Sequence, residues 1–272
     1  SDDVRRVSYR VAEVGDATVI ELGDGTRASL SSGKVVLSSS PPGGLFERPA
    51  HMLPLPMPAE HGDLSLLARY WNLGAVDLFL ARAYASYVLA HAKRPGVVFP
   101  VLAIVSPAGS GKSCFCRMLA SLIDPTNVSI RSFPKTEREL VVGAQRHLVI
   151  FDNLRRIPPL MSDALCTMAT GGCLEERKLF TNCETVSHRM HAAVVLNGVH
   201  DFIDQQDLSQ RCLRISLKTL DSATRRSEDE MLRSFYADLP TIFRGLLDSA
   251  AATLAEMPNV KATSPERLVG FS

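Results

Sequence analysis

The sequence predicts an α/β fold: a parallel sheet with helices on both faces, a small β-rich piece before it and a helical piece after it. Three observations carry this. The apolar run Val97 to Val105 enters a glycine loop and then an amphipathic segment. Two more apolar runs, from Leu148 and from Ala192, each end in a polar residue, Asp152 and Asn197. Strands covered on both faces read as continuous apolar runs rather than as alternating ones.

Residues 1–40 form the first unit. Val7, Tyr9 and Val11, then Val19, Ile20 and Leu22, then Ser29 to Leu37 are β-type runs. They are split by Gly15-Asp16, by Gly23-Asp24-Gly25 and around Ser32-Gly33, which predicts a β-meander. Residues 41–62 read as a linker. Pro41, Pro42, Pro49, Pro54, Pro56 and Pro58 are six of the 16 prolines, and such a stretch is extended rather than helical.

Residues 63–220 read as the core with its preceding helices. Leu64, Leu67, Ala68 and Trp71, and then Val76, Phe79, Leu80, Ala83, Tyr87 and Ala90, keep the helical period. After Val105 comes Ser106-Pro107-Ala108-Gly109-Ser110-Gly111-Lys112-Ser113-Cys114, and Phe115, Met118, Leu119, Leu122 and Ile123 give the next helix its apolar face. Strand, glycine loop, Lys-Ser, helix is the order of a phosphate cradle. The glycines turn backbone N–H groups inward, and the helix N-terminus adds positive dipole character. Lys112 is expected on the β- and γ-phosphates of ATP and Ser113 on Mg²⁺. The pattern asks for glycine at the first position, where this chain has Ser106.

Asp152, forty residues after Lys112, ends its strand where a second Mg²⁺ ligand belongs. The following residue is Asn153, where many such ATPases carry a glutamate. The general base therefore stays open, with Asp163, Glu175 and Glu176 as substitutes. Asn197 is placed to sense the γ-phosphate or hold the lytic water, although Asn197-Gly198 also reads as a plain turn. Fourteen residues further on, Arg211 stands where an arginine can enter a neighbour's ATP site, with Arg214 next in line.

Taken in order, Lys112, Asp152, Asn197 and Arg211 resemble the AAA+ ATPases of helicase superfamily 3. The closest likeness is to the helicase modules of phage, plasmid and integrative-element primase–helicases. It is carried by Leu148-Val-Ile-Phe-Asp-Asn-Leu, Leu165-Cys-Thr-Met-Ala-Thr-Gly-Gly, Arg177-Lys-Leu-Phe-Thr and Val195-Leu-Asn-Gly, and it spans roughly Asp63 to Pro258. The resemblance implies a homo-oligomeric ring, a hexamer, with ATP sites between subunits, single-stranded DNA in the pore and a primase domain or protein as partner.

It also implies a pore hairpin, with strands over Glu176 to Asn182 and Glu184 to His191 and with Arg177, Lys178, His188 and Arg189 as DNA contacts. Those would grip phosphates rather than read bases. Residues 221–272, with Met231, Phe235 and Leu239 preceding a second helix at Ile242, Phe243, Leu246, Leu247 and Ala250, would be a helical lid, cut short at Ser272.

Composition excludes other classes. Thirty basic and 29 acidic residues leave a net charge of +1, so any DNA contact is a local basic stripe. The longest apolar run is nine residues, interrupted by Pro100, and a membrane span needs about 20. The Ser-Asp-Asp start shows no secretory signal and suggests a longer parent chain. Six cysteines without a C-x-x-C pair read as buried reduced thiols in a cytoplasmic protein. A zinc site at Cys166, Cys173 and Cys183 fits no common spacing. A second class of function is an AAA+ switch or loader that acts on a protein partner without unwinding, and Asn153 suits it. A small-molecule kinase is disfavoured by the Asn197 and Arg211 positions.

Overall fold

The computed structural model describes residues 8–23, 25–39, 46–177, 185–219 and 227–260. The meander forms as predicted, as antiparallel strands β1 (Val11–Val14), β2 (Ala17–Glu21), β3 (Thr26–Ser31) and β4 (Lys34–Ser39). Its inner face buries Val11, Ile20, Ala28 and Leu30, while Val36 and Leu37 on the last strand stay exposed. Residues 46–58 hold neither helix nor named strand, as their prolines require. Leu55 N–H nonetheless donates to Leu22 O (2.7 Å), which ties this stretch to the meander.

The helical signal after Asp63 resolves into a 3₁₀ turn at Leu64–Leu66, a single turn α1 (Leu67–Tyr70) and the longer α2 (Ala75–Ala90). Asp63 caps the first of these by accepting from Ser65 N–H (2.8 Å). The apolar period expected through α2 fails at its start: Val76 and Phe79 are exposed, and only from Ala81 onward does the helix enter the core. The apolar run at Val97 is likewise shorter as a strand than its hydropathy suggests. β5 covers Val101–Val105 alone, because Pro100 has no N–H for a ladder.

The core then runs α3 (Lys112–Ile123), β6 (Ile130–Ser132), α4 (Glu137–Gly143), β7 (Leu148–Leu154), α5 (Pro159–Thr170), β8 (Cys173–Arg177), β9 (Thr185–Arg189), β10 (Ala193–Gly198), α6 (Gln206–Ser209) and β11 (Cys212–Ile215). Five strands form one parallel sheet in the order β11-β5-β10-β7-β6. This arrangement sets the ends of β5, β10 and β7 side by side. Strands β8 and β9 pair only with each other and form a separate hairpin. On one face of the sheet, α2, α3 and the meander share a single hydrophobic core; on the other, α4, α5 and α6 cover a second. α5 starts at Pro159 and stops at Gly171, whose φ of +79° is the left-handed conformation of a helix C-cap.

The last element corrects the two-helix expectation. α7 (Glu228–Glu256) is one helix of 29 residues that passes through Pro240. Pro240 has no N–H to give the helix ladder. Its own carbonyl accepts from Ala59 N–H (3.1 Å), and Thr241 O accepts from Asp63 N–H (3.1 Å), so the chain before α1 lies along the helix at this point. Phe235, Ile242, Phe243, Leu246, Leu247 and Ala250 bury the inner stripe of α7. Of the expected lid, residues 220–226 and 261–272 lie outside the described residues. No helix among the described residues is long and apolar enough to cross a membrane.

Candidate functional site

β5 ends at Val105, and the chain turns through residues 106–111 into α3. Gly109 and Gly111 have φ of +75° and +87°, and Gly111 caps α3 in the left-handed conformation. Only glycine takes such angles freely. Phe115, Met118, Leu119, Leu122 and Ile123 anchor α3 in the core, which fixes its N-terminus at the end of β5. Pro107, Ala108 and Gly109 are exposed, and Cys114 is half-buried with its thiol pushed up by burial. The Ser110 hydroxyl is buried without a hydrogen-bond partner. Lys112 Nζ donates to Ser106 O (2.8 Å) and Pro107 O (2.7 Å), so its ammonium lies inside the loop. Burial lowers its pKa and Asp152 opposes that.

Ser106 has a purpose that the glycine pattern does not suggest. The residue is buried, and its hydroxyl accepts from Leu217 N–H (2.7 Å). The start of the loop is thereby tied to the chain leaving β11. Ser106→Gly removes the acceptor from a buried N–H, which costs about 1–3 kcal/mol. Urea unfolding of this variant is expected to show an unchanged slope and a midpoint lowered by that cost divided by the slope.

Asp152 is presented by a bulge. On β10, Leu196 faces Phe151 and Gly198 faces Leu154, so Asp152 and Asn153 together stand opposite the single residue Asn197. Asn153 absorbs the extra length at φ +61°, a conformation that asparagine tolerates better than most residues. Its N–H donates to Asp152 Oδ1 (2.7 Å) and its side chain is exposed. Asp152 Oδ1 also accepts from Asn197 Nδ2 (2.6 Å), and Oδ2 accepts from Ser113 Oγ (3.0 Å). Asn197 is fully buried, and its Oδ1 has no partner.

Lys112, Ser113, Asp152 and Asn197 are thus gathered at one end of the sheet. Arg211 is not with them. It precedes β11, whose first residue Cys212 faces Val101 at the start of β5, and it pairs with Asp207 (3.2 Å). The five residues of β5 separate that end from the loop by about 17 Å. Arg214 pairs with Asp201 (2.7 Å).

The DNA candidates divide. Cys173 faces Arg189 and Leu174 faces His188, so those two sit at the base of the hairpin, whereas Arg177 faces Thr185 at the far end of the ladder. Lys178 and the rest of 178–184 lie outside the described residues, as do the side chains of Glu175, Glu176 and Arg177. Asp163 is exposed on α5.

A cavity of about 260 Å³ opens beside the loop and is walled by Tyr70, Asn72, Leu217, Glu228 and Met231. Sequence reasoning did not find these residues, because they come from α1, from the chain after β11 and from the first turn of α7. Glu228 is paired with Arg117 of α3. Ser113 and Asp152 offer the oxygen ligands that Mg²⁺ takes, and Mg²⁺ keeps waters and phosphate oxygens for the rest. This suits a place where, among the described residues, no cluster of three or more metal-binding side chains exists. Of the five described cysteines, Cys116 and Cys166 are buried, Cys114 and Cys212 half-buried and Cys173 exposed; Cys183 lies outside the described residues.

Residues 71–268 match the sequence family described as actinomycete integrative conjugative element replication protein. The chain belongs to this family. Of the phage, plasmid and integrative-element origins that the resemblance leaves open, the family is that of an integrative element. No curated protein matches the chain. Among solved structures, the A-form apo C-terminal region of NrS-1 is similar at a TM-score of 0.50 and 11% identity, covering 87% of this chain and 68% of that one. At such identity the likeness is one of fold. The JCV helicase is less similar, with a TM-score of 0.34, 14% identity and coverage of 67% and 60%. In this replication protein, then, Lys112 and Ser113 at the start of α3 lie beside Asp152 of β7 and Asn197 of β10 at one end of the parallel sheet.

Proposed function

We propose that this replication protein is an AAA+ ATPase that moves along single-stranded DNA as its element replicates. The observation that supports this most is the bonding of Asp152 to both Ser113 and Asn197, one strand away from the Lys112 loop. In this reading the loop cradles the ATP phosphates and Lys112 leaves its carbonyl partners for them. Ser113 and Asp152 hold Mg²⁺, which would neutralise charge on the phosphates. Asn197 keeps Asp152 oriented and reports on the γ-phosphate. Asn153 points to solvent, so the water-activating group comes from elsewhere.

Arg211, at the far end of its sheet, serves the site of the next subunit in a ring, a hexamer. Arg177 and Lys178 near the hairpin tip reach the DNA, and a primase works alongside. The exposed Asn153 in place of an acid favours one second reading, a slow ATP-driven switch acting on a protein partner.

The test is the steady-state ATPase rate with and without single-stranded DNA. A motor is stimulated by DNA; a switch is not. Arg211→Ala is expected to keep ATP binding and lose about 10³-fold in turnover. Mixing it with Lys112→Ala is expected to restore part of the activity at hybrid sites. Normal hydrolysis by Arg211→Ala alone removes that residue from the mechanism.

A further inference from the structure

A second cavity, of about 340 Å³, lies at the opposite edge of the sheet from the glycine loop. Its walls include Tyr9, Lys93, His147, His188, Arg189 and His191. His147 immediately precedes β7 and His191 lies two residues before β10, whereas Asp152 and Asn197 stand toward the far ends of those strands. The hairpin springs from this edge, and β9 supplies His188 and Arg189 to the cavity wall.

The charge here is one-sided. None of the lining residues is acidic. Two carboxylates act on its walls: Glu47 beside Tyr9, and Asp124, whose oxygens are already taken. Oδ1 accepts from Arg10 Nε (2.9 Å), and Oδ2 accepts from the backbone N–H groups of His147 (2.8 Å) and Leu148 (3.3 Å). A third acid in this region, Glu13, is paired with Arg94 (2.9 Å).

Lys93 Nζ donates to Ala144 O (2.8 Å) and to Arg146 O, which leaves one of its three N–H donors. Desolvation pushes its pKa down to about 7, and Arg189 pushes the same way. Both ring nitrogens of His191 are buried, with the Val97 backbone beside them, and burial pushes the imidazole pKa down to about 4. The ring cannot easily turn elsewhere: it lies against Phe99 (centroids 5.1 Å apart), and a Cβ on Gly171 would meet its Nδ1 at 2.9 Å. A buried imidazole, the Lys93 ammonium over the Tyr9 ring (5.5 Å to its centroid) and a guanidinium line one opening, and cationic N–H donors of this kind are what a phosphoryl anion requires.

We propose that this cavity at the hairpin base binds a phosphoryl group, and that its occupant is a backbone phosphate of the single-stranded DNA. The DNA source rests on the function proposed above; the anion site does not. Lys93 and His191 hold the phosphate from the body of the protein and Arg189 from the hairpin, so an occupied site clamps the hairpin base to the sheet. Contacts nearer the tip then act on a fixed arm.

The test uses the full chain and Arg189→Gln, since Arg189 is exposed and its loss leaves the core intact. One arm measures fluorescence anisotropy of labelled oligo(dT) over a range of salt. Losing one phosphate contact is expected to lower the log–log salt slope by about 0.7 and to weaken binding about fivefold at 0.1 M salt. The other arm titrates inorganic phosphate into Lys112→Ala, with and without Arg189→Gln, and follows the ring-proton resonance of His191. Weaker oligo(dT) binding by Arg189→Gln supports the site and its DNA source. Unchanged oligo(dT) binding, with a phosphate-induced shift that Arg189→Gln abolishes, keeps the site and assigns it to free phosphate. No oligo(dT) binding by the parent chain, together with that shift, overturns the DNA reading and leaves the site standing. Unchanged oligo(dT) binding with no shift overturns the site.

Discussion

On the proposed function, Lys112→Ala is expected to lose at least about 10²–10³-fold in ATP turnover while the protein stays folded. The lysine makes two hydrogen bonds, both to carbonyls of its own loop, and neither ties the loop to the rest of the protein. Its ammonium is partly desolvated, and burial already lowers its pKa. Removing it therefore relieves a small electrostatic cost in the folded state, so thermal stability is expected to hold or rise slightly. A preorganised cation on transferring phosphates is worth about 3–4 kcal/mol of transition-state stabilisation. Phosphate release by the variant, measured beside its thermal melt, checks both halves. Turnover within about threefold of the parent, from a folded protein, would remove the glycine loop from the chemistry.

Gly62→Ala acts on the fold instead. A Cβ at this position would sit 2.3 Å from Gly245 N and 2.4 Å from Gly245 Cα, both backbone atoms of the long α7. Neither can move without breaking the helix or lifting the preceding segment off it. Ala59 and Asp63 hydrogen-bond to the same stretch of helix, so the strain cannot be released locally. The expected cost is about 3–5 kcal/mol, in the range of severe overpacking. For a chain of this size that lowers Tm by about 10 °C. Gly143→Ala is the control: its Cβ would meet only Val149 side-chain atoms at 3.6 and 3.7 Å, and its melt is expected within a few degrees of the parent.

Much of this architecture is legible in the residues. β5, β7 and β10 follow from apolar runs that do not alternate, and α3 follows from five apolar residues at helical spacing. Lys112, Ser113, Asp152 and Asn197 converge because each lies at or just past the end of such a run. What escaped the sequence shares one physical cause, long-range packing. The periodicity of α2 includes Val76 and Phe79, yet only Leu78 of that stretch packs on the core, and a pattern cannot say where cover ends. Pro240 signals a helix end, yet α7 continues through it, with the segment at 59–63 bonded alongside to the carbonyls of Pro240 and Thr241. Ser106 looks like a departure from a motif until its bond to Leu217, more than a hundred residues away, is seen. Lys93 and His191 carry no motif at all. Only the fold brings them to one cavity.

The bulge at Asp152 and Asn153 limits what an engineer could do with this protein. Faster hydrolysis suggests writing a glutamate at position 153. The backbone there sits at φ +61°, where an ordinary L-residue costs about 1–2 kcal/mol and asparagine or glycine much less. The same extra residue in the strand lets Asp152 face Ser113 and Asn197 together. Straightening the strand to suit a glutamate would turn Asp152 away from them. Position 153 is therefore reserved for residues that accept a left-handed turn, and any redesign of the base has to start from a different strand.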